Sequence, residues 1–171
     1  LELFEPEDER LNAFVFEYTN VQGATVVLGE DDVRSFKYLE DPTGIGSVAG
    51  NDLPWIRYAD ILLSRAEALN EVQGPTQESI DLVNEIREAA DVPPIDLVSY
   101  ADKESLRDFI LDERGREFHS EWLRREDLIR HGKFIEMAVA RGKPAKDFHV
   151  LFPIPQSELD KNPNLEQNPG Y

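Results

Sequence analysis

A mainly α-helical fold is predicted by three features of this 171-residue chain. Apolar residues recur at three- and four-residue spacing through its middle, β-type alternation is confined to short pieces of the first fifty residues, and prolines gather near the end. With 40% apolar residues the chain suffices for one core, and a chain of this length buries about two-thirds of its unfolded surface. The expectation is a single domain over residues 1–171. It comprises irregular loops and short strands over 1–52, four helices over 53–141, and an extended proline-rich tail over 142–171.

In the first segment, Phe14-Val15-Phe16 and Thr25-Val26-Val27-Leu28 alternate as strands do, with turn signals at Gly23, Gly29 and Pro42-Thr43-Gly44. Two short strands or a hairpin are expected, followed by a surface loop over 42–52. Pro54 suits a helix first turn behind an Asn51 or Asp52 cap. Ile56, Ala59, Leu63, Ala66 and Leu69 then share one face of a first helix running to about Val72. Gly74-Pro75 breaks it, and Thr76 caps a second helix with Ile80, Val83, Ile86 and Ala90 on one face. Residues 54–87 have about the 34-residue length of a tetratricopeptide unit, and such a unit must stack on a neighbour to bury its face. Pro93-Pro94 ends this hairpin, and Ser99 or Asp102 caps a third helix that carries Leu106, Phe109, Ile110 and Phe118 to about Ser120. A fourth helix takes in Trp122, Leu123, Leu128, Ile135 and Ala138 and stops at Arg141-Gly142. Four prolines between residues 153 and 171 then enforce an extended tail, interrupted by one turn of helix near Ser157.

Charge excludes several functions. The net charge is −17, with 35 acids against 18 bases, so a nucleic-acid partner is not expected, because phosphate contacts need clustered bases. Twelve Arg and only six Lys in so acidic a chain fit either a halophilic surface or an ordinary acidic one. No cysteine is present, so disulfides, thiolate catalysis and Cys-based metal sites are ruled out for this segment. No stretch approaches the roughly 18 apolar residues of a membrane span, and Leu1-Glu2-Leu3-Phe4-Glu5-Pro6 lacks the pattern of a signal peptide. Such a beginning suggests a piece of a longer protein, with any export signal and lipid-bearing Cys upstream.

Four groups of residues are candidates for chemistry. Glu113, Glu117 and Glu121 recur every fourth residue, and a close carboxylate pair is the minimum for glycoside hydrolysis. The interleaved Arg114, Arg116, Arg124 and Arg125 favour ion pairing instead, as in Glu113 with Arg116 and Glu121 with Arg124 or Arg125. No catalytic residue is therefore assigned and no enzyme is expected. The clusters Glu7-Asp8-Glu9 and Glu30-Asp31-Asp32 lack the spacing of a calcium loop and read as solvated surface. His119, His131 and His149 are too scattered for a zinc motif, so no metal or cofactor is expected. Sugars stack their C–H faces on flat rings, which brings Trp55, Tyr58, Trp122, Tyr38 and Tyr100 into consideration. Trp55 and Tyr58, one turn apart at the start of the first helix, are the ligand-binding candidates, with core packing as the competing role for each. Trp122, between Phe118 and Leu123, reads as the buried hinge of the third and fourth helices.

Several motifs also resemble, in order, those of the SusD/RagB family. They are Asp8-Glu9-Arg10, Phe36-Lys37-Tyr38, the run Pro54-Trp55-Ile56-Arg57-Tyr58-Ala59-Asp60-Ile61-Leu62-Leu63 with Ala66-Glu67-Ala68, and Asn84 with Ile86-Arg87. Glu113-Arg114-Gly115-Arg116-Glu117-Phe118 follows with Glu121, Arg124, Asp127, Leu128 and Arg130, then Pro153-Ile154-Pro155 and Asn162-Pro163 through Gln167-Asn168-Pro169-Gly170-Tyr171. The chain departs at Trp122-Leu123, where the family often has Gly, and at His131-Gly132, where Trp-Gly is common. The resemblance implies the C-terminal part of a SusD-like α/α fold in a nutrient-binding lipoprotein on the extracellular face of the outer membrane. It further implies an oligosaccharide or other nutrient as ligand and a SusC-like TonB-dependent transporter as partner. The membrane would be reached only through an N-terminal lipid anchor outside this chain. Most of the family's ligand-contacting aromatics would lie outside it as well. In that reading Glu113, Arg114, Glu117, Arg124 and Asp127 form an ionic scaffold locking the third and fourth helices to the tail. A helical protein–protein interaction scaffold is the alternative function.

Overall fold

The computed structural model describes residues 1–29, 32–38, 41–45 and 49–171, and these divide into two compact units, Leu1–Trp122 and Leu123–Tyr171. In the first unit a 3-10 turn at Glu9–Ala13 leads into two small antiparallel ribbons. β1 (Phe14–Val15) pairs with β4 (Arg34–Ser35), and β2 (Glu17–Thr19) pairs with β3 (Thr25–Val27). Asn20 closes the β2–β3 turn by accepting the amides of Gln22 and Ala24, and Gly23 supplies the positive φ. The expected hairpin over Thr25–Val27 is present, and the β1–β4 ribbon adds a second pairing.

Three helices form the core of this unit. α1 (Tyr58–Gln73) packs on both α2 (Gln77–Ala89) and α3 (Lys103–Glu117). Leu62, Leu63 and Ala66 of α1 meet a core that also contains Ile80, Val83, Leu106, Ile110 and Leu111, all buried. The small Ala66 side chain permits close helix approach, as the tetratricopeptide-length pattern requires. Local signals set most of the ends. Gly74 stops α1 with φ +83°, Thr76 caps α2 in a box with Ser79, and Asp102 caps α3 in a box with Ser105. Pro93-Pro94 then lies folded back on α2. Asn84 exchanges two hydrogen bonds with the Ile95 backbone, and Arg87 donates to the Pro93 carbonyl.

Two helix boundaries differ from expectation. α1 begins at Tyr58 rather than near Pro54; neither Asn51 nor Asp52 caps it, and Arg57 stands extended at the N-cap position with its side chain drawn away to Glu117 and Glu121. α3 stops at Glu117, short of Ser120, because Ser120 and Trp122 take φ +65° and +64°, which no helix accommodates.

In the second unit, the fourth helix expected up to residue 141 is two helices, α4 (Arg124–Arg130) and α5 (Phe134–Ala140), so residues 53–141 hold five. Gly132 separates them at φ +69°, and Gly142 ends α5 at φ +72°. A 3-10 turn at Asp147–Val150 and the one-turn α6 (Gln156–Leu159) follow. The tail closes on itself. Gln167 exchanges two hydrogen bonds with Ile154, Asn168 donates to the Phe152 carbonyl, and the Tyr171 hydroxyl donates to the Leu151 carbonyl. The guanidinium of Arg125 lies over Phe152 at 4.0 Å and donates to the carbonyls of His149 and Val150.

Candidate functional site

Two ionic assemblies organise the first unit. The inner one centres on Glu113, whose side chain has no solvent exposure. One oxygen accepts from Arg10 at 2.8 Å, while the other accepts from Arg87 at 3.1 Å and Arg116 at 2.8 Å. Burial alone would raise the Glu113 carboxyl, but the charges of Arg116 and Arg10 outweigh it and hold the group below the usual carboxylate range. Arg10 also grips the buried Asp8 through two nitrogens, Arg116 donates to the Leu3 carbonyl, and Arg87 pairs with Glu5. The N-terminal segment is thereby tied to α2 and α3. Asp8 is not the solvated surface acid the sequence suggests, since its carboxylate is committed to Arg10. Glu30 and Asp31 of the other acidic cluster lie outside the described residues. Among the described residues, no group of three or more His, Cys, Asp or Glu could hold a metal ion.

The outer assembly centres on Glu121. Arg57 engages it through two nitrogens at 2.8 and 2.9 Å, and Lys37 pairs with the same carboxylate. Arg57 also reaches Glu117, both its carboxylate at 2.8 Å and its carbonyl at 3.1 Å, and Lys37 donates to that carbonyl too. Phe118, buried, is flanked by the guanidiniums of Arg57 and Arg114, each 5.0 Å from its ring. Burial would raise the Glu121 carboxyl, and the hydrogen bonds from Arg57 and Lys37 reverse the shift. The pairing of Glu113 with Arg116 is as expected, whereas Glu121 pairs with Arg57 and Lys37 in place of Arg124 or Arg125. With α3 ending at Glu117, Glu121 is not on a helix face and the four-residue rule does not apply to it. Of the expected scaffold group, Arg114 pairs with Asp60 of α1, while Arg124 and Asp127 belong to the second unit, where Asp127 holds Arg130 at 3.0 Å.

Around the outer assembly the rings are turned outward. Trp55 is 89% exposed and Tyr58 68%, so neither packs in the core of this chain. Trp122 is 80% exposed, which corrects its reading as a buried hinge. A left-handed φ at a non-glycine residue costs about 1–2 kcal/mol, and Ser120 and Trp122 both carry it. The clamp on Glu121 holds this turn in place. Tyr38 is 38% exposed, and its hydroxyl is pushed up by burial and by the charge of the neighbouring Glu121. Tyr100 is set apart from this group. It packs edge-on against Phe109 at 5.3 Å, and burial pushes its hydroxyl up to about 12. An open hollow of about 560 Å³ beside α2 is lined by Glu7, Asn84, Glu88, Asp91 and prolines, with no ring to stack a sugar.

The description of a protein family, the SusD family, matches residues 32–171 of this chain, more than four-fifths of its length. The chain belongs to the SusD family. Among the relatives of this SusD-family chain, the SusD-like protein P38 of Formosa agariphila is 39% identical over 148 residues, covering 83% of this chain and 29% of that protein. The starch-binding protein SusD of Bacteroides thetaiotaomicron is 30% identical over 138 residues, covering 76% of this chain and 23% of the relative. The crystal structure of a SusD superfamily protein from Parabacteroides distasonis superposes with a TM-score of 0.76 at 29% identity, over 99% of this chain and 40% of the other. The chain thus spans less than a third of the curated relatives it matches, and its own mainly helical fold superposes on that SusD superfamily structure.

Proposed function

We propose that the protein carrying this chain captures glycans or other nutrients at the outer-membrane surface and takes no catalytic part in their breakdown. It passes them to a SusC-like TonB-dependent transporter, and a lipid anchor outside this chain holds it to the membrane. The observation that carries this reading is the match across 138 residues to a relative that binds starch, within a family match over residues 32–171. The clamp geometry agrees with it. Glu113 is enclosed by three guanidiniums and Glu121 is gripped by two cations, so the close carboxylates act as fixed anions that organise the fold. Among the described residues no helix is long and apolar enough to cross a membrane.

Isothermal titration of the complete gene product against neutral oligosaccharides tests the proposal, together with co-purification from outer membranes. Saturable glycan binding and a transporter in the same complex are expected. A protein that binds no glycan and co-purifies instead with a soluble protein would leave the helical interaction scaffold as the function.

A further inference from the structure

His119 follows closely on the end of α3, and its ring packs against Phe4 of the N-terminal segment and Phe14 of β1. The Phe14 ring lies 4.7 Å away at a tilt of 31°, the Phe4 ring lies 5.8 Å away edge-on, and the two phenyl rings are themselves 5.5 Å apart. Nδ1 is 2.9 Å from the Arg116 carbonyl, which can only accept, so Nδ1 carries the hydrogen and Nε2 is the bare nitrogen. Nε2 is buried and meets no donor or acceptor among the described residues. A neutral imidazole fits this position, whereas an imidazolium would bring into it a charge and a second N–H with no acceptor. Polypeptide outside this chain can only deepen the burial of Nε2.

The charges near the ring add to this penalty. Arg10 of the 3-10 turn and Lys37 just past β4 both disfavour a further cation. The Glu117 carboxylate, which favours one, is held by Arg10 and Arg57, and Arg116 is committed to Glu113. Glu5 of the N-terminal segment pairs with Arg87, and Arg34 of β4 lies over the Tyr18 ring. Burial is the largest influence and holds the His119 ring below its ordinary value, offset in part by the Arg116 carbonyl and Glu117.

We propose that His119 is an acid-released latch: its neutral ring, packed on Phe4 and Phe14, holds residues 1–7 against the helices, and uptake of a proton at Nε2 frees that strap while α1, α2 and α3 stay folded. The two phenyl rings differ in anchorage. Phe14 sits in the β1–β4 ribbon, next to a turn fixed by the Asp8–Arg10–Glu113 clamp. Residues 1–7 are tied down by the Phe4 ring, by Arg116 on the Leu3 carbonyl and by Arg87 on Glu5, and none of them is fully buried. A short segment with few buried contacts opens before the core does. Asp8 and Glu113, both depressed, stay ionised in the pH range where a freed His119 takes up its proton, so the inner clamp outlasts the latch.

Hydrogen exchange of the complete gene product tests the latch, read by mass spectrometry between pH 7.5 and 4.5 and corrected for the intrinsic pH dependence of exchange. The Phe4 and Asp8 amides, which donate to the Leu1 and Glu5 carbonyls, report the opening. With one proton taken up on release, the open fraction of the strap should rise about tenfold for each unit of pH below about 6.5, down to the depressed folded value, while α1–α3 stay protected. His119→Phe keeps a ring on Phe4 and Phe14 but binds no proton, and it should show no such rise. His119→Gln, which does not titrate either, gives the same reading if the phenyl ring disturbs the fold. A flat profile in the parent overturns the latch, since the complete protein then supplies Nε2 with an acceptor or holds residues 1–7 by other contacts. A rise that persists in both variants also overturns it, because another group such as Glu5 would then be the one that titrates. Exchange that rises equally through α1–α3 overturns it as well, since acid would then unfold the whole unit.

Discussion

Truncating Glu113 to Ala would leave Arg10, Arg87 and Arg116 facing one another around an empty buried position. Removing one partner from a buried ionic group costs about 3–5 kcal/mol, far more than the roughly 0–1 kcal/mol of an exposed pair such as Arg65 with Glu78. Urea unfolding of Glu113→Ala should therefore show a loss of about that size, and a loss below about 1 kcal/mol would mean that the three arginines find solvent or other partners. The same residue shows how far the sequence could be read. Its pairing with Arg116 follows from three-residue helix spacing, but Arg10 and Arg87 reach it from other elements, and no local rule announces them. Trp122 departs from the expected burial for a related reason. Its apolar neighbours Phe118 and Leu123 suggest burial, whereas the sign of φ at Ser120 and Trp122 decides which way the ring points.

Among the elements, those with caps and breakers written into the chain were legible. Thr76, Asp102, Gly74 and Gly142 sit where expected because each acts on backbone groups within a few residues of itself. The start of α1 was not, since Arg57 is held extended by carboxylates 60 or more residues away. The tail gives the sharper test at this scale. Gly170 has φ +99°, and a Cβ there would lie 2.4 Å from two ring atoms of Phe148. Gly170→Ala should displace Tyr171 from the Leu151 carbonyl and open the closed tail. Limited proteolysis should then cut within residues 148–156 at least several-fold faster than in the parent, and an unchanged cleavage rate would show that Gln167 and Asn168 hold the tail without it.

For the molecule as a whole, the clamps impose a pH dependence with two stages. Burial holds the His119 ring below its ordinary value, only partly offset by its bond to the Arg116 carbonyl, so the unfolded chain takes up a proton there first. Its contribution is complete above about pH 6.5 and is lost as pH falls from there through the depressed folded value. Asp8, Glu113 and Glu121 are also depressed, so their contribution is present above about pH 4 and is lost as pH falls through their folded values. The urea midpoint should decline gently below pH 6.5 and steeply below pH 4, and His119→Phe should abolish only the first decline. A midpoint that stays level from pH 7 to 5 in the parent would remove His119 from this account. We also propose that residues 1–171 act as a single domain, which requires one cooperative transition in calorimetry.

By itself the sequence determined the helical class, the hairpin of α1 and α2, most caps, and the family, because periodicity, capping and motif order depend on residues close in the chain or in fixed succession. Tertiary structure alone decided which carboxylates were enclosed, where α1 and α3 end, and that Trp55, Tyr58 and Trp122 face outward. Those outcomes depend on Arg10, Lys37, Arg57 and Arg87 reaching across long stretches of chain to shared anions, and such encounters leave no periodic trace in the sequence.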